Sequence, residues 1–121
     1  MTATRIYLTI SGVFGLAGVA MLASGAHASG GSMTIAGQML LFHAPAVMAA
    51  TLARKMDYLH ARLAQIALAV LIIGVALFSA DLALRASQGI KLFAMAAPLG
   101  GILTMAGWAG LIVSSLMGRQ R

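Results

Sequence analysis

The sequence predicts an all-α fold, an integral membrane bundle of four transmembrane helices with both termini in the cytoplasm. Three observations carry this. Four apolar runs, Ile6–Ala26, Met33–Ala53, Leu63–Leu84 and Leu92–Met117, fill most of the 121 residues. Only 8% of residues are charged, against roughly 25% in a soluble domain, so a water-facing surface has almost nothing to be built from. The charges also fall mainly in the gaps between runs, where basic residues anchor helix ends and set orientation. The four spans and their turns use up the chain as a single domain, 1–121, with no room for a soluble domain of typical size.

Each run is long enough to cross a hydrocarbon core of roughly 30 Å at about 1.5 Å per residue. The first opens after Arg5 and closes near Ala26-His27-Ala28, which imitates a secretory signal with a small-residue cleavage site. Its apolar stretch is longer than the roughly 7–15 residues of a signal core, so the first span is read as uncleaved. Gly12, Gly15 and Gly18 lie along it, with Ser11, Gly15 and Ala23 on one i,i+4 row. Small residues let helices approach closely in lipid, where no hydrophobic force drives them together. The second run contains Pro45, which frees a carbonyl one turn earlier and bends its helix. The third carries Ser79 and Asp81. The fourth has Pro98 near its start, read in the same way as Pro45, and an i,i+4 row of Ala106, Gly110, Ser114 and Gly118. These helix-packing residues serve either the bundle itself or a homodimer.

Placing the segments alternately on two sides gives Arg5, Arg54, Lys55, Arg62, Arg119 and Arg121 to one side, and Arg85 and Lys91 to the other. Six basic residues against two put the termini in the cytoplasm.

The net charge of +6 does not point to nucleic acid, because the basic residues flank spans and form no stripe on a folded face. Cysteine is absent, which removes disulfides, thiolate metal sites and cysteine nucleophiles. Nine methionines raise copper as a ligand, but they are scattered without tight Met-x-x-Met or His-x-x-Met clusters and read as packing residues. No phosphate-binding glycine loop, His-Glu-x-x-His or nucleophile elbow occurs, so no enzyme, metal or cofactor is expected. The chain has the size of small multidrug-resistance transporters but lacks their acid in the first span.

Polar residues in the spans are the candidates for chemistry, since ionisable groups at membrane depth are costly and seek the interior. Asp81 is one of two acids in the chain, and Arg85 follows at ion-pair spacing. The pair either pins a helix end or supplies an ion-responsive carboxylate. His43, near the middle of the second run, either bonds to a neighbouring helix or the carbonyl freed by Pro45, or relays protons. His27, Gln38 and Ser79 complete a candidate cluster of His27, Gln38, His43, Ser79, Asp81 and Arg85. His60 reads as a loop residue.

Gly25-Ala26-His27, Gln38-Met39 and Phe42-His43-Ala44 occur in the first two spans. Leu77-Phe78-Ser79-Ala80-Asp81-Leu82, Ala97-Pro98-Leu99-Gly100-Gly101 and Ala106-Gly107-Trp108 follow in the last two. In this order they resemble domain-of-unknown-function family 423, small bacterial inner-membrane proteins, over about Gly12 to Leu116. The resemblance implies four spans, an uncleaved first helix and an inner-membrane, multi-pass location. It places His27, His43, the third-span polar segment and a Pro-Gly-Gly turn in the family pattern. The stretch from His27 to His43 is shorter than in many members, and Asp81 stands where many have a small polar residue. The family brings no activity with it. Two functions remain: a non-enzymatic accessory, assembly or structural component acting through helix contacts, in a membrane-protein complex or a homo-oligomer; or a small transporter or channel for protons, an ion or a small solute using Asp81 and His43. The lipid bilayer is a partner in both.

Overall fold

Apolar side chains alone do not make these runs helical; the absence of water does, since every backbone polar group must then be satisfied within its own segment. A computed structural model of the chain describes residues 2–27 and 30–119. Helix α1 spans Ala3–Gly25, α2 Ser32–Lys55, α3 Ala61–Gln88 and α4 Ala96–Leu116, and all four are long and apolar enough to cross a membrane. Ala28, after which a signal-like cleavage would fall, and Arg121 lie outside the described residues.

The helices overrun the apolar runs because their ends are set by caps, which hydropathy does not see. Thr2 Oγ1 accepts the Arg5 amide at 3.3 Å and starts α1 early. His60 does the same for α3, its Nδ1 accepting the Leu63 amide at 3.3 Å. Gly89, with φ of +69°, ends α3 in the left-handed conformation that glycine adopts without cost.

Helix α4 is the exception, starting four residues later than the run Leu92–Met117 predicts. That start puts Pro98 in the first turn, where its missing N–H is one no helix would use. Pro98 therefore frees no carbonyl and bends nothing, unlike Pro45 inside α2, and Gly100 and Gly101 lie within the helix rather than in a turn.

Extensive packing joins α1 to α2, α2 to α3 and α3 to α4, while α1 touches α3 lightly. The four-helix bundle is thus two tight hairpins joined along α2 and α3. Leu40, Val47, Leu68, Leu71 and Val75 fill its centre, with Tyr7 and Phe14 added from α1 and Leu111 from α4. Outward faces carry the large apolar side chains expected against lipid, among them Leu16, Phe42, Ile73, Ile102 and Leu116.

Glycine sets the seams. A Cβ on Gly74 would stand 2.5 Å from the Thr104 amide nitrogen, and one on Gly100 2.6 Å from that of Phe78. A Cβ on Gly107 would lie 2.6 Å from Leu71 Cβ. On the first hairpin Gly18 and Gly37 face each other, and a Cβ on either would come within about 3.1 Å of the other's carbonyl. The helix-packing residues expected from sequence divide differently. Gly18 and Ser114 are buried, and Gly110 faces Ala67, but Gly12 has open space around it and Ala106 is exposed. Gly15 meets only Ala44 Cβ, at 3.9 Å. The α4 seam runs along Gly100, Thr104, Gly107, Leu111 and Ser114, a mixture of three- and four-residue steps.

Candidate functional site

The polar side chains gather at three levels. In the middle, His43 is 7% exposed, and its Nδ1–H donates to the Met39 carbonyl of its own helix at 2.7 Å. That leaves Nε2 as an acceptor, and Trp108 Nε1–H of α4 donates to it at 3.1 Å, with the rings tilted at 57° and their centroids 5.8 Å apart. The two residues meet because α2 and α4 run in the same direction and stand about 17 and 18 Å below their helix starts. The acceptor is the Met39 carbonyl, not the Leu41 carbonyl that Pro45 frees, because only the former lies one turn directly toward the helix start, the way the ring points. Beside Trp108, an apolar cleft of about 300 Å³ separates α2 from α4, with Ala46, Ala50 and Leu111 in its walls.

At the end opposite the termini, Asp81 is fully buried. One carboxylate oxygen accepts from Arg85 Nε at 2.9 Å and from its terminal nitrogen at 2.8 Å. The other accepts the Leu92 amide at 2.9 Å. The carboxylate therefore ties the α3–α4 connector down onto α3, and a charge-assisted fork holds it in place.

At the end holding the termini, the α2–α3 connector is stitched to its surroundings. Tyr7 O–H donates to the Gln65 carbonyl at 2.7 Å, and Arg54 reaches the Ala61 carbonyl and the Gln65 side chain. The His60 amide donates to the Ser114 carbonyl at 3.0 Å, Ser114 O–H to the His60 carbonyl at 3.1 Å, and the Arg119 amide to the Asp57 carbonyl at 3.0 Å. His60 is thus a cap and clasp residue rather than simply a loop residue. Gly118 leaves room for the Tyr58 carbonyl where a side chain would collide with it.

Of the six candidate residues, then, only Asp81 and Arg85 bond to one another. His27 is exposed in the turn after α1, and Gln38 is exposed on α2 with no side-chain hydrogen bond among the described residues. Ser79 is 1% exposed, and its hydroxyl has no hydrogen-bond partner among the described residues. Trp108 and the Leu92 amide were not foreseen. Trp108 carried a signal, as the chain's one tryptophan placed mid-span rather than at an interface, with an N–H that needs an acceptor. The Leu92 amide carried none.

A wider cleft of about 460 Å³ opens where α1 and α3 diverge, toward the Asp81 end, and is lined by small and apolar residues with no titratable side chain. No three metal-ligating side chains converge among the described residues.

No curated protein and no solved structure matches the chain. The family described as "Protein of unknown function (DUF423)" matches residues 12–101, which takes in the motifs of the first three spans and the start of α4 but stops short of Ala106-Gly107-Trp108. With about three quarters of its length matched and four membrane-spanning helices, the chain belongs to this family, as a multi-pass membrane protein.

Proposed function

We propose that this is a non-enzymatic accessory or assembly component of the bacterial inner membrane, working through lateral helix contacts with both termini in the cytoplasm. The observation that carries the reading is how the intramembrane polar groups are used. Both nitrogens of His43 and both oxygens of Asp81 are engaged in hydrogen bonds, one of each pair within its own helix and the other tying that helix to α4 or to the α3–α4 connector. Groups committed in this way are poor relay stations, which weighs against the transport reading. Meanwhile Gly12 on α1 and Ala106 on α4 face outward with small side chains, and lateral partners favour such positions.

The test is gentle-detergent purification of tagged protein followed by native mass spectrometry. A stoichiometric partner or homo-oligomer is expected for the wild type, and Gly12→Leu or Ala106→Leu should weaken it while leaving helix content unchanged. A strictly monomeric protein, with cross-linking in native membranes giving no adduct, would defeat the proposal. Orientation is checked by single cysteines at Thr2, Gly30 and Gln88, a clean experiment because the chain has none of its own.

A further inference from the structure

The α3–α4 connector, Gly89 to Met95, differs from the other two. The first, 26–31, contains no large apolar residue, and the second is clasped by α4. In the third, Ile90, Leu92, Phe93 and Met95 are all between 45% and 62% exposed, yet Leu92 is held in place by the hydrogen bond its amide donates to Asp81. Four large apolar side chains displayed on a pinned loop need a covering.

Helix lengths give the depth at which that covering lies. Asp81 stands about 27 Å along α3 from Leu63, close to the roughly 30 Å of a hydrocarbon core. The rest of α3, to Gln88, rises about 10 Å further, into the headgroup layer. The connector then descends to bring Leu92 back to the level of Asp81, where α4 begins. Leu92, Phe93 and Met95 therefore lie at the boundary between acyl chains and headgroups, with Lys91 just above them.

Charge completes the picture. Asp81 is buried and neutralised by Arg85, and the chain's other acid, Asp57, is at the opposite end of the bundle. With that pair cancelled, the Lys91 ammonium leaves the α3–α4 connector with a net positive charge over an apolar surface. Phospholipid presents the complementary arrangement, a phosphate above acyl chains.

We propose that the α3–α4 connector is an interfacial phospholipid-binding anchor, with Leu92, Phe93 and Met95 seated among the upper acyl carbons and Lys91 paired with a lipid phosphate. Asp81 acts as the positioning residue, holding the loop at that depth through the Leu92 amide.

The experiment uses the full chain with Phe93→Cys carrying a nitroxide, reconstituted in phosphatidylcholine vesicles with or without phosphatidylglycerol. Collisions with oxygen, which concentrates in lipid, are compared with those of a water-soluble nickel chelate. Oxygen should dominate at position 93 and the chelate at a Gln88→Cys label, a reversal of sign between the connector and the end of α3 only five residues away. Phosphatidylglycerol should slow the label's motion, and Lys91→Glu should abolish that response. Asp81→Ala, which removes the acceptor of the Leu92 amide, should shift position 93 toward the chelate; Lys91→Glu keeps the test open if that variant does not fold. Chelate dominance at position 93 would overturn the proposal, since the loop would then stand in water. Shielding from both reagents would overturn it too, because protein, a partner or a second copy, would then cover the loop.

Discussion

Replacing Gly74 with alanine adds one methyl group at the tightest point of the α3–α4 seam. The new Cβ would lie 2.5 Å from the Thr104 amide nitrogen and 2.8 Å from both the Gly100 carbonyl and Thr104 Oγ1. Two of these atoms are backbone and cannot swing aside, so the helices must separate by the better part of an ångström to restore ordinary contact. A gap of that size forfeits a quarter to a half of each dispersion contact along the seam. Overpacking of this kind costs typically about 1–3 kcal/mol, and the rigidity of the obstructing atoms places this site at about 2–3 kcal/mol. Alanine also favours the helix over glycine by about 0.8–1 kcal/mol, which partly conceals the cost. Gly12→Ala removes that complication: Gly12 is helical, a Cβ there meets nothing within 4 Å, and the propensity gain is the same. The difference between the two variants isolates the seam. Denaturation in mixed micelles, followed by circular dichroism, should give Gly74→Ala an unfolding constant roughly 30- to 160-fold above that of Gly12→Ala. Equal stability of the two would refute the close-packed seam.

Ser79→Ala should be neutral or stabilise the fold by up to about 1 kcal/mol in the same assay, because it removes a buried hydroxyl with no partner. Trp108→Phe and His43→Leu should each cost about 1 kcal/mol or more, and the double variant less than the sum of the two, as expected for residues sharing one bond. In His43→Leu the emission of the single tryptophan should also shift, as its N–H has lost its acceptor. Pro98→Ala should change stability by less than about 0.5 kcal/mol, since a first-turn proline displaces no hydrogen bond.

Spans, their number and the Asp81–Arg85 pair were legible in the sequence because each depends on local composition or on spacing within one helix. What failed depended on which faces meet. Small residues in unbroken i,i+4 rows suggested Ala106 as a contact, yet the seam α4 uses passes through Gly107, where backbone approach to Leu71 leaves no room for a methyl group. Four residues counted into the last span, Leu92 to Met95, are as apolar as a helix but belong to a connector. Hydropathy reports how much a segment avoids water, and an interfacial loop avoids it too. His43 was recognised as a residue requiring a partner, but the partner is 65 residues away on a helix whose facing could not be read.

The clasp between the α2–α3 connector and the end of α4 has a consequence for the order in which this protein is made. A ribosome delivers α1 and α2 together, and their glycine seam can close while α3 is still unwritten. His60, which caps α3, must wait much longer, because the acceptor of its amide is the Ser114 carbonyl, and the Arg119 amide that donates to the Asp57 carbonyl comes later still. Until those late residues emerge, the hinge between the hairpins has open hydrogen-bonding groups and is free to sample other angles. A nascent chain stalled before Ser114 could hold two hairpins and still lack their fixed relation. The clasp works as a seal of completion, and quality-control proteases that probe loose connectors would find Met56 to His60 free to unfold locally in truncated copies and held by hydrogen bonds in finished ones.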